Sequence, residues 1–446
     1  MRKVLFISLG CDKNLADSEE MLGMLVEHGY QLTNEEQEAE VIVINTCAFI
    51  HDAKEESVNS ILEMARYKEE GALKALLVTG CLAQRYQKEI IEEIPEVDAV
   101  LGTASFDQII QALDKVFQGE RYLDFRNIDE TPQASGKRVI TTGGYYDYLK
   151  IAEGCDKHCT YCIIPKLRGK YRSVPMERLL EQARHLADQG VRELIVVAQE
   201  TTVYGKDLYG EKTLHKLLRE LCKIGGIQWI RILYCYPEEI YPELIQTMKE
   251  EKKICHYLDL PIQHCNDRIL KRMGRRTTKQ ELTDIVAVLR REIPDIILRT
   301  TLITGFPGET LEEHRELMEF IDTMEFDRLG VFTYSPEEDT PAALMPDQIE
   351  EEEKLRRQEE LMELQQEISL DKGNARIGTE VEVMIEGKVA DENAYVGRTY
   401  GDAPNVDGYI FINTATELMS GDFALAHVTG ALEYDLIGEL KDEYTQ

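Results

Sequence analysis

The sequence predicts a multidomain α/β protein: an N-terminal open parallel α/β sheet, a central six-unit partial (β/α) barrel and a C-terminal small antiparallel β-barrel. Three observations predict it. The 446 residues are about three times a typical domain, too many for one hydrophobic core. Continuous apolar runs alternate with amphipathic stretches through most of the chain, the pattern of strands covered on both faces of a parallel sheet. Near Ala375 the pattern changes to short strands broken by Gly, Asp and Asn, as in a small antiparallel barrel.

Residues 1–130 supply "KVLFISLG", "VIVINT", "KALLVTG" and "DAVLG" as strands, with helical stretches such as "DSEEMLGMLVEHG" between them. Residues 131–144, "TPQASGKRVITTGG", are polar, contain Gly and lack a helical period, and so read as a linker. Residues 145–346 repeat a strand-then-helix unit, with strands at "YLKIAEGC", "ELIVVAQET", "WIRILYCYP", "HYLDLPIQH", "ILRTTLITGFPGE" and "RLGVFTYSP". Such a barrel, two units short of the closed form, keeps its chemistry at the C-terminal strand ends and leaves a lateral opening. Residues 347–373 carry strong helix formers up to Gly373 and read as a connecting helix. Residues 374–446 offer "EVEVMIEGKV", "AYVGRTY", "GYIFIN" and "FALAHVTGALEYDLIGEL" as strands of the last barrel.

Composition narrows the function. No apolar stretch approaches the roughly 20 residues of a membrane span, and "MRKVLFISLGCDKN" reads as a first strand rather than a signal peptide, which places the chain in the cytoplasm. Ten cysteines in a reducing compartment are then ligands or catalysts rather than a disulfide framework. A net charge of -32 favours a basic protein partner over naked nucleic acid. From Asp371 onward five Lys and Arg face fifteen Asp and Glu, which makes the last barrel a poor general RNA binder.

The densest chemical signal is "EGCDKHCTYCIIPKLRG", with Cys155, Cys159 and Cys162 within eight residues. Clustered thiolates select zinc, copper(I) or an iron–sulfur cluster. Structural zinc wants four ligands, and would need His158 or a second CxxC pair. Three thiolates on a 4Fe-4S cluster leave one iron open to substrate. Cys11, Cys47 and Cys81 form a second set, 36 and 34 residues apart, each following an apolar strand. Such strand ends line one edge of a parallel sheet, so the three can converge on one site. The alternative for each is a buried inert thiol. Cys222, Cys235, Cys255 and Cys265 show no ligand spacing and read as core thiols.

The Cys155, Cys159 and Cys162 spacing, with Tyr161 before the last cysteine and the first barrel strand just upstream, resembles the radical S-adenosylmethionine (SAM) superfamily. Two cysteine trios, a six-unit barrel and a terminal β-domain, in this order, resemble the methylthiotransferase family across essentially the whole chain. That implies an N-terminal methylthiotransferase domain, a radical SAM core and a TRAM domain. "SLGCDKNLADSE", "AEGCDKHCTYCIIPKLRGKYRS", "LDLPIQHCNDRILKRMGR" and "VDGYIFIN" are more similar to the RimO-type branch, which modifies a protein, than to the tRNA-modifying MiaB type.

The resemblance implies that a methylthio group is added to the β-carbon of an aspartate in ribosomal protein S-twelve, the twelfth protein of the small subunit. It implies two 4Fe-4S clusters, on Cys11, Cys47 and Cys81 and on Cys155, Cys159 and Cys162. Two SAM molecules are used, one to methylate sulfur and one to generate the hydrogen-abstracting radical, with Cys155, Cys159 and Cys162 as the catalytic set. A donor such as flavodoxin or ferredoxin supplies electrons, and no membrane is involved. By the same resemblance Tyr161, Glu200, Arg299, Gly305 and Pro307 contact SAM; the alternatives are that Glu200 is a solvated acid after a strand, Arg299 a structural ion-pair partner and Gly305–Gly308 an ordinary turn. The run Lys166, Arg168, Lys170 and Arg172 either meets the SAM carboxylate or the target region or forms a solvated loop. Two other readings stay open: a tRNA methylthiotransferase of the MiaB type, and a non-catalytic iron–sulfur or zinc scaffold that binds RNA through its last domain.

Overall fold

The computed structural model describes residues 1–132, 137–390 and 392–441. Strands β1 (Lys3–Ser8), β2 (Gln31–Leu32), β3 (Val41–Thr46), β4 (Ala75–Gly80), β5 (Ala99–Leu101) and β6 (Tyr122–Asp124) form one parallel sheet in the order β2-β1-β3-β4-β5-β6. The four expected strands are all present. The two extra ones, β2 and β6, are short edge strands with no fully buried residue, so neither leaves an apolar run in the sequence. Every residue of β3 and β4 is buried, because helices cover central parallel strands on both faces.

The described part of 131–144 has no regular secondary structure, but it is not loose. Arg138 is buried between Glu19 and Asp147, with its Nη2 3.0 Å from Asp147 Oδ1. Residues 133–136 of the expected linker lie outside the described residues.

The second sheet contains β7 (Tyr146–Lys150), then, beyond the short antiparallel pair β8 (Ala152–Glu153) and β9 (Arg172–Ser173), β10 (Glu193–Val197), β11 (Trp229–Ile232), β12 (Ile254–Asp259), β13 (Ile297–Thr304) and β14 (Arg328–Thr333). Its order is β14-β13-β12-β11-β10-β7, all parallel, which is the expected six-unit partial barrel. Strand alternation separates two faces. Leu194, Val196, Ile230 and Ile232 meet the surrounding helices, whereas Tyr146, Tyr148, Ile195, Val197, Trp229 and Tyr257 line the concave side.

The connecting helix runs Glu351–Ala375 and does not stop at Gly373. A Cβ there would lie 3.0 Å from Ala431 Cβ, so this glycine lets the helix lie against the last barrel. The chain turns at Gly378, whose φ of +87° is left-handed. Strands β15 (Glu380–Lys388), β16 (Ala394–Thr399), β17 (Ile410–Asn413), β18 (Phe423–Ala431) and β19 (Leu436–Leu440) close a barrel in the order β15-β16-β17-β19-β18. Two expectations are corrected here. The run from Phe423 is two strands, joined by a turn in which Leu432 N–H donates to Asp435 O. The barrel is also not wholly antiparallel, because β17 and β19 pair parallel. Met384 and Ala403 of this barrel pack on the concave side of the six-stranded sheet.

Candidate functional site

Strands β1, β3 and β4 end side by side, with Ser8 opposite Asn45 and Thr46 opposite Gly80. The residues that follow carry Cys11, Cys47 and Cys81. A polar lattice ties the three loops together. Asn14 Nδ2 donates to Leu9 O and Thr46 O, both at 2.9 Å, and Thr46 Oγ1 donates to Thr79 O at 2.6 Å. Ser57 accepts from Cys47 N–H and donates to Cys47 O, at 3.0 Å each. Gly10 and Gly80 precede Cys11 and Cys81 with φ of +87° and +93°, and a Cβ at Gly10 would stand 2.9 Å from Cys47 Sγ. Only glycine fits both the left-handed backbone and the close approach. Burial, then the neighbouring Cys81, pushes the Cys47 thiol up to about 12. Cys81 is also raised by burial, against the pull of Arg168.

The pair β8 and β9 closes the base of the second cysteine loop. Gly154, with φ +78°, lies so near Lys170 that a Cβ would meet its carbonyl oxygen at 2.1 Å. Cys155 N–H donates to Gly169 O at 3.1 Å, and Thr160 N–H to Met273 O at 2.9 Å. Cys155 and Cys159 are buried and Cys162 is half-buried. Burial holds the Cys155 thiol up at about 12 and Cys162 higher still. Thiols so placed become thiolates when a cation's charge offsets the desolvation.

The residues present fit an iron–sulfur cluster and a polar ligand beside the second trio. Among the described residues no three His, Cys, Asp or Glu side chains are grouped to hold one metal ion; a cubane takes one thiolate per iron and asks for wider-set sulfurs. His158, which a zinc site would recruit, is exposed. Several buried polar atoms have no hydrogen-bond partner here: Glu200 Oε2, Gln199 Oε1, Glu238 Oε2, and Arg275 Nε and Nη1. Orphaned buried groups cost stability unless something fills the site. Glu200 lies beyond β10 with Oε1 accepting from Thr202 N–H at 3.0 Å. Its Oε2 is 3.8 Å from Lys157 Nζ, and burial pushes its carboxyl up to about 7. Arg275 stacks over Tyr236 at 4.2 Å from the ring centre, and the Tyr236 hydroxyl is 3.6 Å from Cys159 Sγ.

The other expected site residues have intramolecular roles. Tyr161 packs on the Phe306 and Tyr334 group. Arg299 pairs with Asp259 at 2.8 Å and with Asp407 of the last barrel at 3.3 Å. Gly305, with φ +70°, opens a turn whose N–H donates to Glu309 Oε2 at 2.5 Å, and Pro307 O accepts from Arg272 Nε at 3.1 Å. The basic run divides: Lys166 and Lys170 are exposed, Arg172 is partly buried, and Arg168 is buried against Asp17 and Glu153. Sequence reasoning missed Asn14, Asp17, Lys150 and Tyr234. Tyr234 has φ +60° and donates from its hydroxyl to Asp12 Oδ1 at 3.1 Å. The available signal was Asn14, Asp17 and Ser18, polar residues at helical spacing that face inward from the Asp12–Glu27 helix.

Comparison with known proteins agrees with this layout. The uncharacterized protein family UPF0004 matches residues 3–102, the radical SAM superfamily residues 149–321 and the TRAM domain residues 377–440. A radical SAM methyltransferase, TsrM, from Kitasatospora setae superposes with TM-score 0.55 at 13% identity, covering 88% of this chain and 79% of that one; at that identity the likeness concerns the fold alone. The family matches, with the full-length relatives that follow, define a radical SAM enzyme of the methylthiotransferase class. A "ribosomal protein uS12 methylthiotransferase RimO" of Lachnoclostridium phytofermentans is 64% identical over 98% of this chain and 99% of its own length. The protein of that name from Clostridium perfringens is 51% identical over 99% and 98%. The chain belongs to the RimO family of ribosomal protein uS12 methylthiotransferases.

Proposed function

We propose that this chain adds a methylthio group to the β-carbon of an aspartate in ribosomal protein uS12. In this reading Cys11, Cys47 and Cys81 hold one 4Fe-4S cluster, and Cys155, Cys159 and Cys162 hold a second. The observation that carries it is two thiol trios at the strand ends of two abutting sheets, in a chain related along its whole length to RimO proteins. When bound, the clusters and SAM supply an electron, a carbon-centred radical and a methylated sulfur.

The chain's own part is to bind and orient. The buried thiols Cys47, Cys81, Cys155 and Cys159 bind iron because iron's charge offsets their desolvation, while Cys11 is exposed. Glu200 Oε2, which has no hydrogen-bond partner, supports Glu200 as acceptor for the SAM amino group, and Tyr161 walls the adenine. Arg299, Gly305 and Pro307 are engaged within the chain, which supports a role in shaping the SAM wall rather than direct contact. A charge of -32 favours a protein substrate that is basic because it sits in ribosomal RNA, over tRNA phosphates. A low-potential donor such as flavodoxin or ferredoxin delivers the electrons, and the reaction belongs to the cytoplasm.

The test is intact mass spectrometry of ribosomal proteins, with nucleoside analysis of tRNA, from cells with and without the gene. The gene should add about 46 Da to uS12, the mass of an inserted sulfur and methylene. A methylthio nucleoside that disappears instead would assign the chain to tRNA.

A further inference from the structure

Four charged side chains close a ring between the two cysteine trios. Asp17 lies on the helix that begins just after Cys11, Lys150 ends β7, Glu153 precedes Gly154 and Cys155, and Arg168 follows Cys162 on the short helix Ile164–Arg168. Arg168 Nη1 lies 2.8 Å from Asp17 Oδ2 and 3.0 Å from Glu153 Oε2. Lys150 Nζ lies 2.8 Å from the same Glu153 oxygen and also pairs with Asp17. Two acids and two bases alternate, so the ring is neutral. None of the four side chains is more than 14% exposed.

Arg168 reaches further than its partners. Its Nη2 donates to Asn14 Oδ1, and Asn14 binds the Leu9 and Thr46 carbonyls that flank the Cys11 and Cys47 loops. The charge of the same guanidinium opposes the burial that raises the Cys81 thiol. One buried cation thus contacts the lattice of the first trio and the acid at the mouth of the second loop. A planar fork with several donors suits such a junction, and a lysine cannot reproduce it.

We propose that Arg168 is a positioning residue that fixes the distance between the two thiol trios, so that methylthio transfer follows radical formation without a domain movement. The proposal rests on the two-cluster reading above. Misplacing reacting groups by about 1 Å can cost on the order of a hundredfold in rate. A loosened ring therefore separates SAM cleavage from product formation.

The test compares the cluster-loaded protein with Arg168→Lys and with Asp17→Asn/Arg168→Gln, which removes one acid and one base and leaves the ring neutral. Three quantities are read: iron bound at each trio, the dipolar coupling between the reduced clusters by pulsed electron paramagnetic resonance, and 5′-deoxyadenosine formed per methylthiolated uS12 peptide. The expected result is retained iron, a broadened intercluster distance, and a ratio raised on the order of a hundredfold. A wild-type distance and ratio in both variants overturn the proposal. Iron lost from either trio overturns it too, since Arg168 would then serve cluster retention. If wild-type protein binds only one cluster, the two-cluster reading itself falls, and the iron count separates that case.

Discussion

Glu193, at the start of β10, is the hinge of a second buried charge group, one that fixes the last barrel to the six-stranded sheet. Its Oε1 meets Arg231 Nε at 2.6 Å and its Oε2 meets Arg398 Nη2 at 2.7 Å. All three side chains are 0% exposed. Arg398 also pairs with Glu386, so two acids balance two bases. Glu193→Gln leaves one uncompensated buried positive charge, a change that costs about 3–5 kcal/mol. At about 2–4 °C per kcal/mol for a domain-sized unit, the melting temperature falls by roughly 6–20 °C. Circular dichroism melts of the full chain measure it. The double variant Glu193→Gln/Arg398→Met restores the balance and should lose less than the two single variants summed. A single-variant loss under about 2 °C, or strict additivity, would refute the claim that this group clamps the barrel.

The other predictions address chemistry and pH. Cys47→Ala should abolish methylthiolation while SAM cleavage continues, and full methylthiolation in that variant would remove the first trio from the mechanism. Cys155→Ala should abolish both, read as uS12 mass and 5′-deoxyadenosine. Glu200→Gln should weaken SAM binding to the cluster-loaded protein by roughly 10- to 100-fold, the worth of a hydrogen bond to a charged group; unchanged affinity in calorimetry would rule out the contact. Burial pushes Asp147, beside Glu19 and Arg138, from 3.8 up to about 7. A carboxyl raised on folding stabilises below its unfolded value, and that contribution is lost as pH climbs through the folded value. The melting temperature of Asp147→Asn relative to wild type should therefore rise between about pH 4 and pH 7, and a pH-independent difference would contradict this.

What the sequence made legible was local. β3 and β4 stand out as runs because all their residues are buried, and CxxxCxxC is compact because one loop supplies all three thiols. The first trio was readable only through strand ends, since its cysteines come from three separate crossings of the sheet. The ring of Asp17, Lys150, Glu153 and Arg168 was not readable at all: its members come from two domains, and "PKLRGKYR" shows four cations of which one is buried. Gly373 misled for a related reason. A glycine at a helix end and a glycine under a packed strand look alike until Ala431 is seen 3.0 Å away from the Cβ it lacks.

The same distinction between a charge that is present and a charge that is available governs the last barrel. Its five cations from Asp371 onward could in principle form a strip for phosphate. Arg398 is instead sealed on Glu193 and Glu386, Lys372 pairs with Asp327 at 3.2 Å, and Lys441 with Glu380 at 2.6 Å. Binding a polyanion depends on cations free to displace its counterions, and three of these five already face carboxylates. Of these cations Arg398 ties the barrel to the radical SAM sheet through Glu193, where Asp402 and Asp407 in turn engage Arg328 and Arg299. A TRAM barrel held in this way packs on the concave side of the six-stranded sheet through Met384 and Ala403.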